Sequence, residues 1–316
     1  MKLKRDPMTL AVMGICVLVI VLAGAYMLYN YVWMPLQIRE QARRYAEMYD
    51  RVTLEPTAAA SPSPTASAAI AASPGPSASA TAESFDEIQD VALGTPGPDT
   101  VIYAAPTLPP VLSSFDGLLS INPETAGFLI MGNTQLPVVQ RPYDNEFYLN
   151  HDFEGQESIA GCLFVDGVNR LYPRDKCLYI YGHNMKNDTM FGKLSDYKHA
   201  RKVKEQPIVY FDTLYREGAY VPFACFALTA DHDSADYFEL RRFAFDQEGF
   251  ADYVEQLKAR SLLDIPVDVV YGDDLLVLVT CNYSIDDGRF VLALRRVRDW
   301  ESEDEARELA TQAQEK

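Results

Sequence analysis

"LLVLVTCNYSIDDGRFVLALRRV", residues 275–297, sets two apolar runs on either side of a polar loop. The first run is almost continuously apolar from Leu275 to Val279 and closes on Thr280 and Cys281, as fits a strand covered on both faces. The loop "NYSIDDG" is rich in the Asn, Ser, Asp and Gly that favour turns, and "RFVLALRRV" follows it as a second strand. The two runs read as a hairpin that returns Arg289 to the side of Cys281, with Arg295 and Arg296 as solvated edge residues. Cys281 has two readings at this point: an inert apolar thiol filling the end of a strand, or a nucleophile with a guanidinium beside it.

Similar runs recur upstream: "GFLIMG", "GCLFVDG", "CLYIYG", "PIVYFDT", "AYVPFACFALTA", "YFELRRFAF" and "VDVVYG", each bounded by turn residues. Their density predicts a barrel or sandwich rather than alternating strand and helix units. One helix interrupts them over 246–263, where Phe250, Tyr253, Val254, Leu257 and Leu262 recur near helical spacing behind Asp246 as N-cap. A shorter helix is predicted over 190–199. Residues 113–300 form one domain of ordinary size, and 301–316 is a polar acidic tail, helical or frayed.

The N-terminal third has a different character. Residues 8–36 carry no charge, enough to cross a bilayer as one helix after a short terminus of residues 1–7. A cleaved signal peptide is the rival, since Ala23-Gly24-Ala25 suits signal peptidase; the apolar run continues to Trp33, which favours an uncleaved anchor. Lys2, Lys4 and Arg5 on one side are matched by Arg39, Arg43 and Arg44 on the other, so charge does not orient the helix. Residues 37–52 read as a juxtamembrane segment. Residues 53–112, rich in Pro, Ser, Thr and Ala, read as a disordered stalk that lets the domain reach away from the bilayer.

A net charge of −17 argues against a nucleic-acid surface. The cysteines, at 16, 162, 177, 225 and 281, show neither CxxC nor zinc-ligand spacing, and no carboxylate cluster demands a metal, so no cofactor is expected. Cys162 and Cys177 flank a hairpin and either pair in an oxidising compartment or stay as buried thiols. Of the four histidines, His183 in "YIYGHNM" follows a strand directly, and His151 in "YLNHDFEG" is its competitor; His199 and His232 read as solvated turn residues. A thiol, an imidazole and a guanidinium from three strands meeting at one barrel rim make a coherent acyl-transfer site.

Five ordered blocks carry a resemblance across residues 115–300: "INPETAGFLIMGNTQLPVVQ", "YDNEFYLNHDFEG", "YIYGHNMKNDTMFGKL", "DQEGFADYVEQLKARSLL" and "LVTCNYSIDDGRFVL". The domain resembles the class B sortases, membrane-anchored cysteine transpeptidases of Gram-positive bacteria. The family's Thr-Leu-x-Thr-Cys signature stands here as Val277-Leu278-Val279-Thr280-Cys281, with valine replacing the first threonine. The resemblance implies a mainly β fold, a closed barrel of about eight strands with peripheral helices. It assigns the catalytic roles to His183, Cys281 and Arg289, and substrate contacts to Asn145, Leu149 and Tyr237, without a metal site.

By the same resemblance the enzyme cleaves an Asn-Pro-x-Thr-type sorting motif at the C-terminus of secreted proteins through a thioacyl intermediate. The threonine carbonyl then passes to an amine of the peptidoglycan cross-bridge precursor. A pilus-polymerising enzyme using a pilin lysine, a hydrolase on the same motif, and a silent wall-binding module are the alternatives. The implied location is the cell membrane, single-pass and in contact with the lipid bilayer through the anchor, with the N-terminus inside and the catalytic domain outside.

Overall fold

Eight strands close on themselves in a computed structural model that describes residues 7–49, 108–281 and 288–316, with Cys281 described by its backbone. They are β1 (Thr125–Met131), β2 (Thr134–Val139), β3 (Leu163–Val165), β4 (Cys177–Tyr181), β5 (Val209–Thr213), β6 (Ala219–Thr229), β8 (Leu275–Cys281) and β9 (Gly288–Arg296). The numbering leaves β7 (Leu263–Asp264) for a two-residue strand that pairs outside the barrel with β10 (Gln314–Glu315). The circular order is β1-β2-β3-β4-β8-β9-β6-β5, with β1 pairing β5 to close the ring. Closure leaves the barrel without an open edge. The expected mainly β, eight-stranded closed barrel is the fold found.

The near-continuous apolar character of β8 follows from its place. It lies between β4, to which it is parallel, and β9, to which it is antiparallel, and Leu275 to Leu278 are fully buried. The helices are α1 (Pro7–Leu28), α2 (Met34–Met48), α3 (Asp116–Ile121), α4 (Ala200–Glu205), α5 (Gln247–Arg260) and α6 (Glu303–Thr311). Helix α5 starts where the sequence predicts: the Asp246 carboxylate accepts from Gly249 N at 2.7 Å, and Phe250, Tyr253, Val254 and Leu257 are buried.

Several expectations are corrected. The run 237–245 alternates like a strand but belongs to no sheet; side chains hold it, with Arg242 N donating to Tyr179 Oη at 2.8 Å and Tyr253 Oη donating to Leu240 O at 2.8 Å. Residues 267–272 are likewise outside any strand. The helix predicted over 190–199 gives way to turns, a 3-10 turn at Leu194–Lys198 and then α4. Asp188 and Met190 sit at φ 65° and 51°, left-handed conformations that a right-handed helix cannot start from. Of the two readings of the acidic tail the helical one is found, and it packs on the barrel. Helix α6 opens with a Ser302/Glu305 capping box, Ala306 and Ala310 are buried, and Glu301 receives the fully buried Arg295 at 2.5 and 2.8 Å, so Arg295 is no solvated edge residue.

Cys162 and Cys177 are free and buried. The β3–β4 register, Phe164 to Tyr181 and Val165 to Ile180, carries residue 162 to the level of 183 and residue 177 to the level of 168. Six strand positions, about 20 Å, separate them, far beyond disulfide reach.

The segment read as juxtamembrane is a docked helix. Met34, Ile38, Ala42, Tyr45 and Tyr49 form one stripe at helical spacing, and Ile38, Tyr45 and Tyr49 are buried against the barrel. Tyr49 stacks on Phe128 at 4.3 Å and donates to Asp212 Oδ2 at 2.7 Å; Tyr45 packs on Phe153 at 4.8 Å. Helix α2 continues α1 through a π-helical stretch at Tyr29–Trp33, and the whole is one helix over Ala11–Met48 whose N-terminal part is long and apolar enough to cross a membrane. Of the predicted stalk, 53–107 lies outside the described residues; at its end Leu112 N already bonds Leu214 O at 2.8 Å.

Candidate active site

Strand register brings the three sequence-predicted catalytic residues together. In the parallel β4–β8 ladder Tyr181 is paired with Val279, and two residues further along each strand come His183 and Cys281. Gly182 N extends the ladder by donating to Val279 O at 3.2 Å. On the other side of β8, Cys281 is paired with Arg289 across the β8–β9 hairpin. Position 183, two residues past the end of β4, therefore stands level with 281 on β8 and 289 on β9 at one rim of the barrel.

The row is fixed locally. Thr280, buried beside Cys281, donates its hydroxyl to Gly182 O at 2.7 Å and ties the end of β8 to the start of the histidine loop. Gly182 is needed for close approach: a Cβ there would lie 2.3 Å from Leu163 Cδ2 and 2.9 Å from Phe191 Cδ2. The loop beyond is closed by Phe191 N donating to His183 O at 3.0 Å and by the bridge between Asn184 and Met190.

His183 Nε2 lies 2.7 Å from Leu149 O. A carbonyl only accepts, so Nε2 carries a proton and donates it to Leu149 O. Leu149 thus meets the site through its backbone, at the end of a 3-10 turn, Phe147–Leu149, held by Leu149 N to Glu146 O at 3.1 Å and Cys162 N to Tyr148 O at 2.9 Å. This positioning contact has no signature in the sequence, because any residue type supplies a carbonyl. Arg289 is half-buried and donates from Nη1 to Gly288 O at 3.0 Å.

The other predicted residues sit further out. Asn145 accepts from Gly167 N at 2.7 Å, a turn-holding contact. Tyr237 donates to Glu239 Oε2 at 2.7 Å and lies against the ring of His232 at 4.3 Å. His151 stacks on Phe147 at 3.9 Å with Nδ1 2.8 Å from Phe147 O. The sequence reading missed a buried clamp: Asp166 receives Arg241 at 2.8 and 3.0 Å and Tyr181 Oη at 3.0 Å. It fastens the segment bearing Tyr237 beside the last residue of β4, two positions before His183. Asp166 and Arg241 lie far apart in sequence, so only the fold pairs them.

Burial separates the remaining barrel thiols from any nucleophilic role. It pushes Cys177 up to about 12, Cys225 up to about 11, and Cys162 higher still, so all three stay protonated at neutral pH. Among the described residues no group of three or more His, Cys, Asp or Glu side chains could hold a metal ion.

No protein-family model matches the chain. It is 28% identical to the sortase B of Staphylococcus aureus over 192 residues, covering 60% of this chain and 76% of that protein. It is 29% identical to the sortase B of Listeria monocytogenes over 179 residues, covering 55% and 70%. The solved Staphylococcus aureus sortase B–substrate complex superimposes with a TM-score of 0.54 at 26% identity, covering 60% of this chain and 87% of that one. A closed eight-stranded barrel, a cysteine-to-arginine pair across its last hairpin and these similarities support a class B sortase, a type of cysteine transpeptidase.

Proposed function

We propose that Cys281 is the nucleophile, His183 the acid and base, and Arg289 the oxyanion partner of a transpeptidase that acts on an Asn-Pro-x-Thr-type sorting motif. The observation that carries this reading is the level row formed by 183, just past the end of β4, with 281 on β8 and 289 on β9. The Cys281 thiolate attacks the threonine carbonyl carbon, forming an S–C bond, and the five-donor guanidinium of Arg289 meets the oxygen as it gains charge. The C–N bond to the next residue breaks, and the leaving amine takes its proton from the imidazolium of His183. The thioacyl enzyme is then attacked by an incoming amine, which gives a proton to His183 as the C–S bond breaks and the thiolate returns. The Leu149 carbonyl holds the ring so that one nitrogen serves both transfers.

Asn145, Leu149 and Tyr237 frame the substrate on this reading, with the Asp166–Arg241 clamp fixing the Tyr237 segment. The amine belongs to a cell-wall cross-bridge precursor, the substrates are secreted proteins bearing the motif, and the chain spans the cell membrane once with its N-terminus inside and the barrel outside. The test uses the full-length chain with an Asn-Pro-Gln-Thr peptide and either triglycine or diaminopimelate, with products followed by mass. An amine-linked threonine product from wild type, absent with Cys281→Ala, supports the reading. Free threonine acid alone would make the protein a hydrolase, and no Cys281-dependent cleavage would overturn the assignment.

A further inference from the structure

We propose that the barrel is seated against the bilayer surface, held there by α2, and that residues 50–107 contribute no spacer between them; this rests on the reading of α1 as a membrane anchor. Helix α1 runs into α2 without a break, and Tyr29, Tyr31 and Trp33, all exposed, mark the level of the membrane interface where aromatic rings collect. Arg39, six residues past Trp33 and so about 9 Å further along the helix, donates to Asn187 O in the loop that follows His183, at 3.3 Å. Arg44 pairs with Glu154 at 2.6 Å, and Tyr49, about 24 Å beyond Trp33, bonds Asp212 of β5. Three separate parts of the domain are thus fastened along α2 and its C-cap Tyr49, within about 24 Å of the interface.

The underside agrees. A largely polar cleft of about 430 Å³ is lined by Tyr29 and Met34 on the helix and by His151, Asp152, Glu157 and Ile159 on the domain. Ile159 is 68% exposed, so a barrel loop carries an apolar side chain down to the level of the aromatic belt. An apolar tip beside a membrane helix fits the acyl-headgroup boundary of a bilayer.

The place where the chain leaves and rejoins the domain removes the stalk from the height. Tyr49, just before the undescribed residues, has its ring centroid 5.0 Å from that of Phe115, just after them. The residues on both sides belong to one unit. Were Val52–Leu108 the tether instead, a coil of that length would add roughly 40 Å of mean reach. The two arrangements differ by more than the barrel's own radius.

The experiment places full-length protein in phosphatidylglycerol/phosphatidylethanolamine vesicles bearing a headgroup acceptor dye, with a donor coupled through an unnatural amino acid at position 300, where Trp300 is 82% exposed. Energy transfer is compared for wild type, a deletion of 53–107 closed by a short Gly-Ser bridge, and an undocked variant, Ile38→Asp with Tyr49→Ala. Seating predicts unchanged transfer on deletion, a fall on undocking, and recovery when undocking and deletion are combined. A rise on deletion, with no effect of undocking, would overturn it. If undocking unfolds the barrel by circular dichroism, the deletion alone decides. Failure of wild type to float with vesicles would overturn the anchor reading instead, and with it the proposal.

Discussion

Replacing Gly182 with alanine puts one methyl into a tightly packed point of the candidate active-site rim. The new Cβ would lie 2.3 Å from Leu163 Cδ2 and 2.9 Å from Phe191 Cδ2, where ordinary carbon contacts need about 3.5–4.0 Å. Leu163 and Phe191 are both fully buried, so neither can swing into solvent, and the end of β4 must give by about 1 Å. Overpacking of this kind costs about 1–3 kcal/mol, which lowers Tm by roughly 4–8 °C at about 2 kcal/mol for a domain of this size. The larger effect is on rate. His183 is the next residue, and a displacement of about 1 Å lowers kcat/KM by roughly 100-fold. The assay is peptide transpeptidation beside thermal unfolding, for Gly182→Ala alone and with Leu163→Val, which removes the clashing Cδ2. The double variant recovers rate, and a merely structural glycine would not restore turnover in this way. Wild-type kcat/KM and Tm in Gly182→Ala would refute the reasoning.

Tyr49→Phe removes the hydrogen bond from α2 to the buried Asp212 carboxylate, at a cost of about 2 kcal/mol and a Tm lower by roughly 4–8 °C; an unchanged Tm would mean that α2 adds nothing to the barrel. Stability falls in alkali. Burial raises the Cys177 and Cys225 thiols to about 12 and 11, so the unfolded chain gives up these protons first; their contribution is full below about pH 9 and is lost upward from there, at about 1.4 kcal/mol per pH unit per group. The phenols of Tyr181 and Tyr197, also raised by burial, extend the loss above about pH 10, and a urea midpoint constant from pH 8 to 11 would contradict this. Native alkylation leaves Cys162, Cys177 and Cys225 unmodified, whereas urea alone exposes all three. A pair that reacts only after reduction would contradict the strand register.

The barrel, and the level placement of positions 183, 281 and 289, were legible because both are written in short-range pattern. Apolar runs end at Thr280-Cys281 and at Tyr181-Gly182-His183, and one turn-rich loop returns Arg289 to its partner. What the sequence withheld is carried by groups without side-chain identity or by distant pairs. The Leu149 carbonyl is invisible in a sequence, and the Asp166–Arg241 clamp joins two loops. The run 237–245 misled because alternation reports a half-buried extended chain, whether a ladder or side chains hold it. The stripe Ile38-Ala42-Tyr45-Tyr49 was present to be read, and its docking turns a juxtamembrane segment into part of the barrel's core.

The most direct measurement is intact-protein mass after brief mixing with an Asn-Pro-Gln-Thr-Gly peptide in the absence of acceptor amine. The expected result is a mass increase equal to the peptide up to and including threonine, less water, mapped to the fragment bearing Cys281 and absent from Cys281→Ala. Peptide cleavage without an adduct on Cys281, or with one on another residue, would contradict the account.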